Sequence, residues 1–328
     1  MSNKYRIAIV APVHIQPTQQ WVDALLEIER PDLKIIIVDD SDGKVRLPNS
    51  WDIYDYKRQK QVLGDLYPAF EQFHKSSACK NFGHYIAWKN KYDIVIGLDS
   101  DCIIGKGFVE QHIEALETKT GIWKNPLERN HNLFSRGYPY HLRGKRNEFN
   151  LGLWENCLDL YGKDRMENRV LSEECFIQQT TNHLNSSVIP FSGMNWSMWT
   201  ENIPAMLFLP NFEAFRRHDD IWGGYIFQRI MNTLKKTGTY GYPIVYHDSI
   251  ADAEKDMDEE IPMMAMEKDF IKEVDKMFGI IGRISESKSS PKEAFHYFYN
   301  VVNSFGEEDN SILSQLLPAF EFWTKLYA

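Results

Sequence analysis

The chain has 328 residues, 43% of them hydrophobic and 25% charged, and a formal net charge of −9. That length and composition suit one large domain, or one domain with a helical appendage, built around a full buried core. A protein whose main work is holding a phosphate backbone would be basic, so nucleic acid is not expected as the main partner, although a local basic patch can exist on an acidic protein.

Tyr5–Val10 (YRIAIV) is short, apolar and β-branched, and predicts a buried parallel strand. Thr18–Glu29 carries Trp21, Leu25, Leu26 and Ile28 at helical spacing, and Leu33–Val38 (LKIIIV) is a second buried strand ending in a polar turn from Asp39 to Gly43. Strand, helix and strand within about forty residues form a βαβ unit and imply a parallel sheet. A short strand is expected at Ile53 and Tyr54, and helix over residues 58–90 with a break near Lys75–Ala78. Asp93–Leu98 (DIVIGL) predicts a strand running directly into Asp99-Ser100-Asp101, and Phe108–Leu116 a helix. Residues 119–185 read as irregular, basic and aromatic.

Further on, a strand is expected at Val188–Phe191, a helix at His218–Lys236 with Asp219 and Asp220 in its first turn, and a last strand at Tyr242–Tyr246. After the acidic stretch Asp252–Glu260, residues 262–278 and 291–327 predict amphipathic helices joined by a Ser/Lys linker. The expected fold class is α/β, a mostly parallel sheet flanked by helices. Residues 1–265 would form the main α/β domain and 266–328 a helical C-terminal extension. Cys79, Cys102, Cys157 and Cys175 show no C-x-x-C spacing, so reduced thiols are expected. The start of the chain lacks a signal-peptide core, and no apolar run is long enough to span a bilayer. A cytoplasmic location is expected.

Four stretches carry candidate chemistry. Asp99 and Asp101 follow a buried strand, where ligands of open α/β sheets bind, and two carboxylates there suit a divalent cation bridging to phosphate oxygens. His247 ends a late strand and reads either as a further ligand or as a structural histidine. Arg136, His141, Arg143, Lys145 and Arg146 form a basic cluster, either an anion-binding loop or a solvated patch. His218–Tyr225 (HDDIWGGY) opens a helix with two carboxylates, of which one could serve as a base or bind sugar hydroxyls; an ordinary helix cap is the alternative.

Taken together, the stretches RGYPYHLR (136–143), SGMN (192–195), RHDDIWGGY (217–225), CKNFG (79–83) and DSDC (99–102) resemble the reversibly glycosylated polypeptides, also called UDP-arabinopyranose mutases. The resemblance extends from about residue 5 to about residue 265 and finds no clear match beyond about residue 280. It implies a GT-A-like fold, a UDP-sugar, UDP-arabinose by the family's pattern, and dependence on Mn²⁺ or Mg²⁺ held by Asp99, Asp101 and His247. Arg143 matches the arginine that becomes glycosylated in the family, and Asp219 and Asp220 match its catalytic acidic pair. Asp40, Lys80, Arg136, Asn195 and Trp222 are the implied substrate-binding residues. Family members associate, so a homo-oligomer is implied.

The chain departs from the family at Ser100, which replaces the middle aspartate of an acidic triplet, at Lys80, where arginine is usual, and in the segment after His247. The resemblance implies interconversion of the pyranose and furanose forms of UDP-arabinose. A metal-dependent transferase passing sugar to a glycan, protein or modified base is the alternative, and a self-glycosylating scaffold a third reading.

Overall fold

The computed structural model describes residues 4–118, 146–167, 182–184, 187–212, 216–249, 252–281, 290–306 and 311–328. Its centre is a mixed sheet in the order β3-β2-β1-β4-β8-β6-β9-β5, with β7 also on β9. The first half is parallel: β1 (Ile7–Val13) lies between β2 (Leu33–Asp39) and β4 (Ile94–Leu98), with β3 (Asp52–Tyr54) outside β2. In the second half β8 (Asn195–Trp199) runs against both β4 and β6 (Phe149–Asn156), and β9 (Gly238–His247) lies parallel to β6. The short strands β5 (Cys102–Ile103) and β7 (Asn182–His183) run against β9. This is the expected α/β class, a mostly parallel sheet flanked by helices.

All of β1 is buried, and its residues divide by the two-residue period of a strand. Ile7, Ile9, Ala11 and Val13 meet Trp21 and Leu25 of helix α1 (Gln19–Glu27) and Phe108, Val109 and Leu116 of α5 (Phe108–Glu117). Ala8 and Val10 face the opposite layer, which includes α4 (Lys80–Lys89) and α7 (Asp219–Thr233). At Gly83 of α4 a Cβ would lie 2.4 Å from Val10 Cγ1, so glycine is what lets this helix rest against β1. That close seat also fixes where the first residue of α4, Lys80, emerges. The remaining helices before β4 are α2 (Tyr56–Leu63) and the single turn α3 (Tyr67–Phe70).

Besides the two-residue strands β5 and β7, two strands were not legible. The strand expected at 188–191 lies instead at Asn195–Trp199, and β6 falls inside the stretch read as irregular. Both contain buried polar residues that interrupt an apolar run. Asn150 Nδ2 donates to His112 Nδ1 (3.2 Å) and to Tyr242 O (2.8 Å), and Thr239 Oγ1 donates to Asn150 Oδ1 (2.8 Å). With Nδ1 accepting, His112 Nε2–H donates to Asn195 Oδ1 at 3.0 Å, and burial drives this imidazole down to about 3, keeping it neutral. The network satisfies backbone groups where the β6–β9 register shifts between Gly152 and Leu153.

The division at residue 265 is corrected. It falls inside one continuous helix, α8 (Ala253–Ile281), whose start Asp252 caps by accepting from Glu254 N at 3.0 Å. After α6 (Gly162–Glu167), which packs on α8, the C-terminal α9 (Pro291–Gly306), α10 (Ile312–Gln315) and α11 (Leu317–Leu326) join the same core as the sheet. Phe322 meets Phe70 and Phe73 at ring-centroid distances of 5.9 and 5.5 Å, and Trp323 Nε1 donates to Pro204 O at 3.0 Å. Among the described residues no helix is long and apolar enough to cross a membrane, and Cys79, Cys102 and Cys157 are free thiols; Cys175 lies outside the described residues.

Phe322 is buried between layers, so Phe322→Ala should destabilise the whole fold by about 3–5 kcal/mol in urea unfolding. A change within about 0.5 kcal/mol, as for a surface position, would place α11 outside the cooperative core.

Candidate active site

The chain leaves β1 towards β2 on one side and reaches β4 on the other, and the carboxyl ends of these strands form the crevice where ligands of such sheets bind. Asp99 follows β4 directly. Its backbone is tied on both sides: Asp99 N donates to Met194 O at 3.1 Å and Trp21 Nε1 donates to Asp99 O at 3.0 Å. The turn is therefore fixed by the core beneath it.

Beneath Asp99 lies Lys80, whose side chain is completely buried. Its Nζ sits 2.5 Å from Asp99 Oδ1 and donates to Gly193 O at 2.9 Å. Burial works to lower this ammonium's pKa, but the charges of Asp99, Asp220 and Asp219 overcome it and the net shift is upward. Lys80 stays charged. It is placed to counter negative charge at the site, although its own head reaches no solvent.

On the far side of Gly193 stands the acidic pair. Asp220 Oδ2 accepts from Gly193 N at 2.6 Å, and Ser77 Oγ donates to Asp219 Oδ2. A Cβ on residue 193 would lie 3.0 Å from Asp220 Oδ2 and 3.1 Å from Lys80 Nζ, so any larger residue would crowd the two charged ends that meet this stretch of backbone. Burial, then the charges of Asp219 and Asp159, push the Asp220 carboxyl up to about 8. A carboxyl at that value sits near neutrality, where it can give or take a proton. Both members of the pair expected as catalytic thus face the Lys80–Asp99 centre.

The opposite pole is built by strand pairing. Cys102 of β5 lies across from His247 of β9, which brings the preceding Asp101 against the imidazole, with Asp101 Oδ2 3.4 Å from His247 Nε2. His247 Nδ1 lies 2.7 Å from Cys157 O. A carbonyl only accepts, so Nδ1 carries the proton and Nε2 faces the carboxylate. Two ligand atoms about 2.1 Å from one octahedral cation and at right angles are about 3 Å apart. The Asp101–His247 spacing therefore fits a hard divalent cation held by both, and Lys80 engages only Oδ1 of Asp99. The donor set, carboxylate and imidazole, suits Mn²⁺ or Mg²⁺. Cys102 Sγ lies within the same 4.8 Å group but belongs to the core beneath it.

Asp40 is also at the crevice, but its role differs from the expected direct contact with substrate. Its side chain is wholly buried. His74 Nδ1 and Tyr56 Oη each lie 2.8 Å from Oδ1, His14 Nδ1 lies 3.0 Å from Oδ2, and Lys75 N donates to Oδ2. Burial would raise this carboxyl, yet the bonds from His14, His74 and Tyr56 hold it well below the usual range. Asp40 is an internal anchor, and His14 is the group it presents to solvent. A signal existed in the sequence: His14 and Asp40 each follow one of two adjacent parallel strands, with Val13 paired to Asp39.

Two other expectations are corrected. Asn195 points inward, its Nδ2 donating to Leu153 O and Pro243 O at 2.9 Å each, so its amide closes the β6–β9 register instead of meeting a ligand. Trp222 lies on the inner face of α7, stacked on Phe270 with centroids 4.1 Å apart. Arg136 and Arg143, with His141 and Lys145, lie outside the described residues. Arg146 is described at the edge, 3.0 Å from Glu201 and stacked over Trp199. Sequence reasoning also passed over Ser77, Asn156, Cys157 and Asp159, none of which stands in a recognisable local pattern.

A family model described as reversibly glycosylated polypeptide matches residues 6–328. The match includes the C-terminal helices, beyond the point where resemblance by motif ended. No curated protein sequence matches. Among solved structures, the chain is similar to glucosyl-3-phosphoglycerate synthase from Mycobacterium tuberculosis in complex with Mn²⁺ and UDP-glucose, with 12% identity, TM-score 0.42, and coverage of 81% of this chain and 79% of that one. It is also similar to mannosyl-3-phosphoglycerate synthase from Rubrobacter xylanophilus, with 13% identity, TM-score 0.42, and coverage of 86% and 76%.

The Asp220 carboxyl sets a pH signature. Unfolded it titrates near 3.8 and folded near 8, so between those values the folded state holds more protons. Its contribution to stability is complete below about 4 and is lost as pH rises through about 8. In chelator, the unfolding free energy of the native protein should fall relative to that of Asp220→Asn across this window. Parallel pH profiles for the two proteins would show that Asp220 titrates as an ordinary carboxyl.

Proposed function

Because the chain belongs to the reversibly glycosylated polypeptide family, we propose that it is a UDP-sugar enzyme that rearranges its substrate within one pocket, interconverting pyranose and furanose forms of UDP-arabinose. The observation that carries this reading is the two-pole site: Asp99, Asp101 and His247 at one end, Asp219 and Asp220 at the other, with buried Lys80 between them.

Asp101, His247 and the free oxygen of Asp99 would hold Mn²⁺ or Mg²⁺. When bound, that cation would neutralise the diphosphate and favour its departure from the anomeric carbon. Lys80 adds a fixed positive charge that needs no reorganisation, because Asp99 and Gly193 O already hold it. The bond between the anomeric carbon and the UDP oxygen breaks, and its electron pair leaves with UDP. The sugar stays beside the retained UDP, which makes recapture effectively intramolecular. Ring opening and closure through a different hydroxyl require one proton to leave that hydroxyl and one to reach the former ring oxygen. Asp219 and Asp220 would carry this exchange, with Asp220 near neutrality supporting the reading. Arg143, by the family's pattern, would carry a covalently held sugar, and Arg136 would help retain UDP.

A metal-dependent transferase is the second reading, favoured by the same Asp220. A carboxyl pushed up to about 8 is also suited to take the proton of an acceptor hydroxyl on a glycan, protein or modified base.

The deciding experiment incubates the protein with UDP-arabinopyranose and Mn²⁺, without acceptor, and separates the nucleotide sugars by chromatography. Appearance of UDP-arabinofuranose is the expected result. UDP binding without any isomer would leave the transferase. Asp101→Ala should weaken Mn²⁺-dependent UDP binding in calorimetry by more than the roughly 10–100-fold typical of losing a residue that merely supports a metal ligand. Unchanged binding would remove Asp101 from the cation site.

A further inference from the structure

His247 is gripped from two sides, and only one of them is the carboxylate. On the other, β6 ends at Asn156, which pairs with His247 in the parallel β6–β9 ladder. Asn156 adopts φ 72°, a left-handed conformation that asparagine accepts more readily than other side-chain-bearing residues. The turn this creates bends the chain over His247. Asn156 Nδ2 donates to His247 O at 3.0 Å, Cys157 N donates to the same oxygen at 3.3 Å, and Cys157 O accepts from His247 Nδ1 at 2.7 Å. Backbone and ring of one histidine are thus both held by two consecutive residues. Asn156 is exposed and packs no core, so its conformation and these bonds are what it contributes.

We propose that Asn156 is a positioning residue for the cation site: its left-handed turn and its bond to His247 O place the Cys157 carbonyl so that His247 is locked in the Nδ1–H tautomer with Nε2 turned towards Asp101. The inference rests on the cation reading above and adds a residue to it. The physical need is specific. Imidazole has one lone pair to offer, and an uncontrolled ring would present N–H to Asp101 and close the gap with a hydrogen bond. A carbonyl at Nδ1 removes that choice. A groove lined by Met166, Met257 and Met264 between α6 and α8 is a separate surface and takes no part in this.

The test compares Asn156→Gly with Asn156→Val. Glycine keeps the left-handed turn and loses only the side-chain bond; valine cannot hold φ near 72° without strain, so the Cys157 carbonyl must move. Calorimetric titration with Mn²⁺ should show binding to Asn156→Gly within a few-fold of the native protein, and binding to Asn156→Val about 10–100-fold weaker. Native affinity in a folded Asn156→Val would overturn the proposal. A second measurement needs no variant: nitrogen chemical shifts of His247 in the metal-free native protein at alkaline pH should report protonated Nδ1 and bare Nε2. The opposite tautomer would overturn the proposal whatever the variants do. If the native protein binds no Mn²⁺, the cation reading fails, and the tautomer alone then decides whether the strap exists.

Discussion

An ammonium group taken out of water must be met by opposite charge, and the buried head of Lys80 is where this requirement organises the molecule. Asp99 meets it directly, the Gly193 carbonyl completes the contact, and the field of Asp219 and Asp220 adds to it. These groups come from the start of α4, the end of β4, the approach to β8 and the start of α7. One cation therefore joins four parts of the chain that share no local sequence. Removing Asp99 would leave the Lys80 ammonium buried without its direct counter-charge, which is the costlier side of a buried ion pair.

Around this centre the two poles differ in how they are made. The Asp101–His247 pole follows from strand pairing, since the β5–β9 and β6–β9 registers put Cys102 and Asn156 on either side of His247. The acidic pole follows from a helix start, where Asp219 and Asp220 sit in the first turn of α7 and backbone N–H groups and the dipole favour carboxylates. Burial then leaves the Asp220 carboxyl near neutrality.

The C-terminal helices do not stand apart from this chemistry. Arg217, two residues before Asp219, reaches α8, with its Nη1 3.0 Å from Asp256 and its Nε donating to Glu260 at 3.0 Å. Glu260 in turn accepts from Gly162 N at 2.7 Å. The first turns of α8 thus brace the approach to the acidic pair, and the helices beyond residue 265 close the core over α4, which agrees with a family match reaching residue 328.

The parallel strands β1, β2 and β4 and their ends were legible in the sequence because a strand buried on both faces is written as a local apolar run. Ile7–Val13, Leu33–Asp39 and Ile94–Leu98 announce themselves in this way, and with them the positions of Asp40 and Asp99. Asp219 and Asp220 were legible as the start of a helix. What those residues face was not. Lys80 and Gly193 are 113 residues apart, and Asn195 meets His112 across 83. Whether an asparagine or tryptophan in a motif turns to a ligand or to the core depends on such distant partners. Asn195 and Trp222 turned inward, and Asp40 spent its carboxylate on His14, His74 and Tyr56. Local pattern decides where chain elements end, and only packing decides which of their polar groups remain free for chemistry.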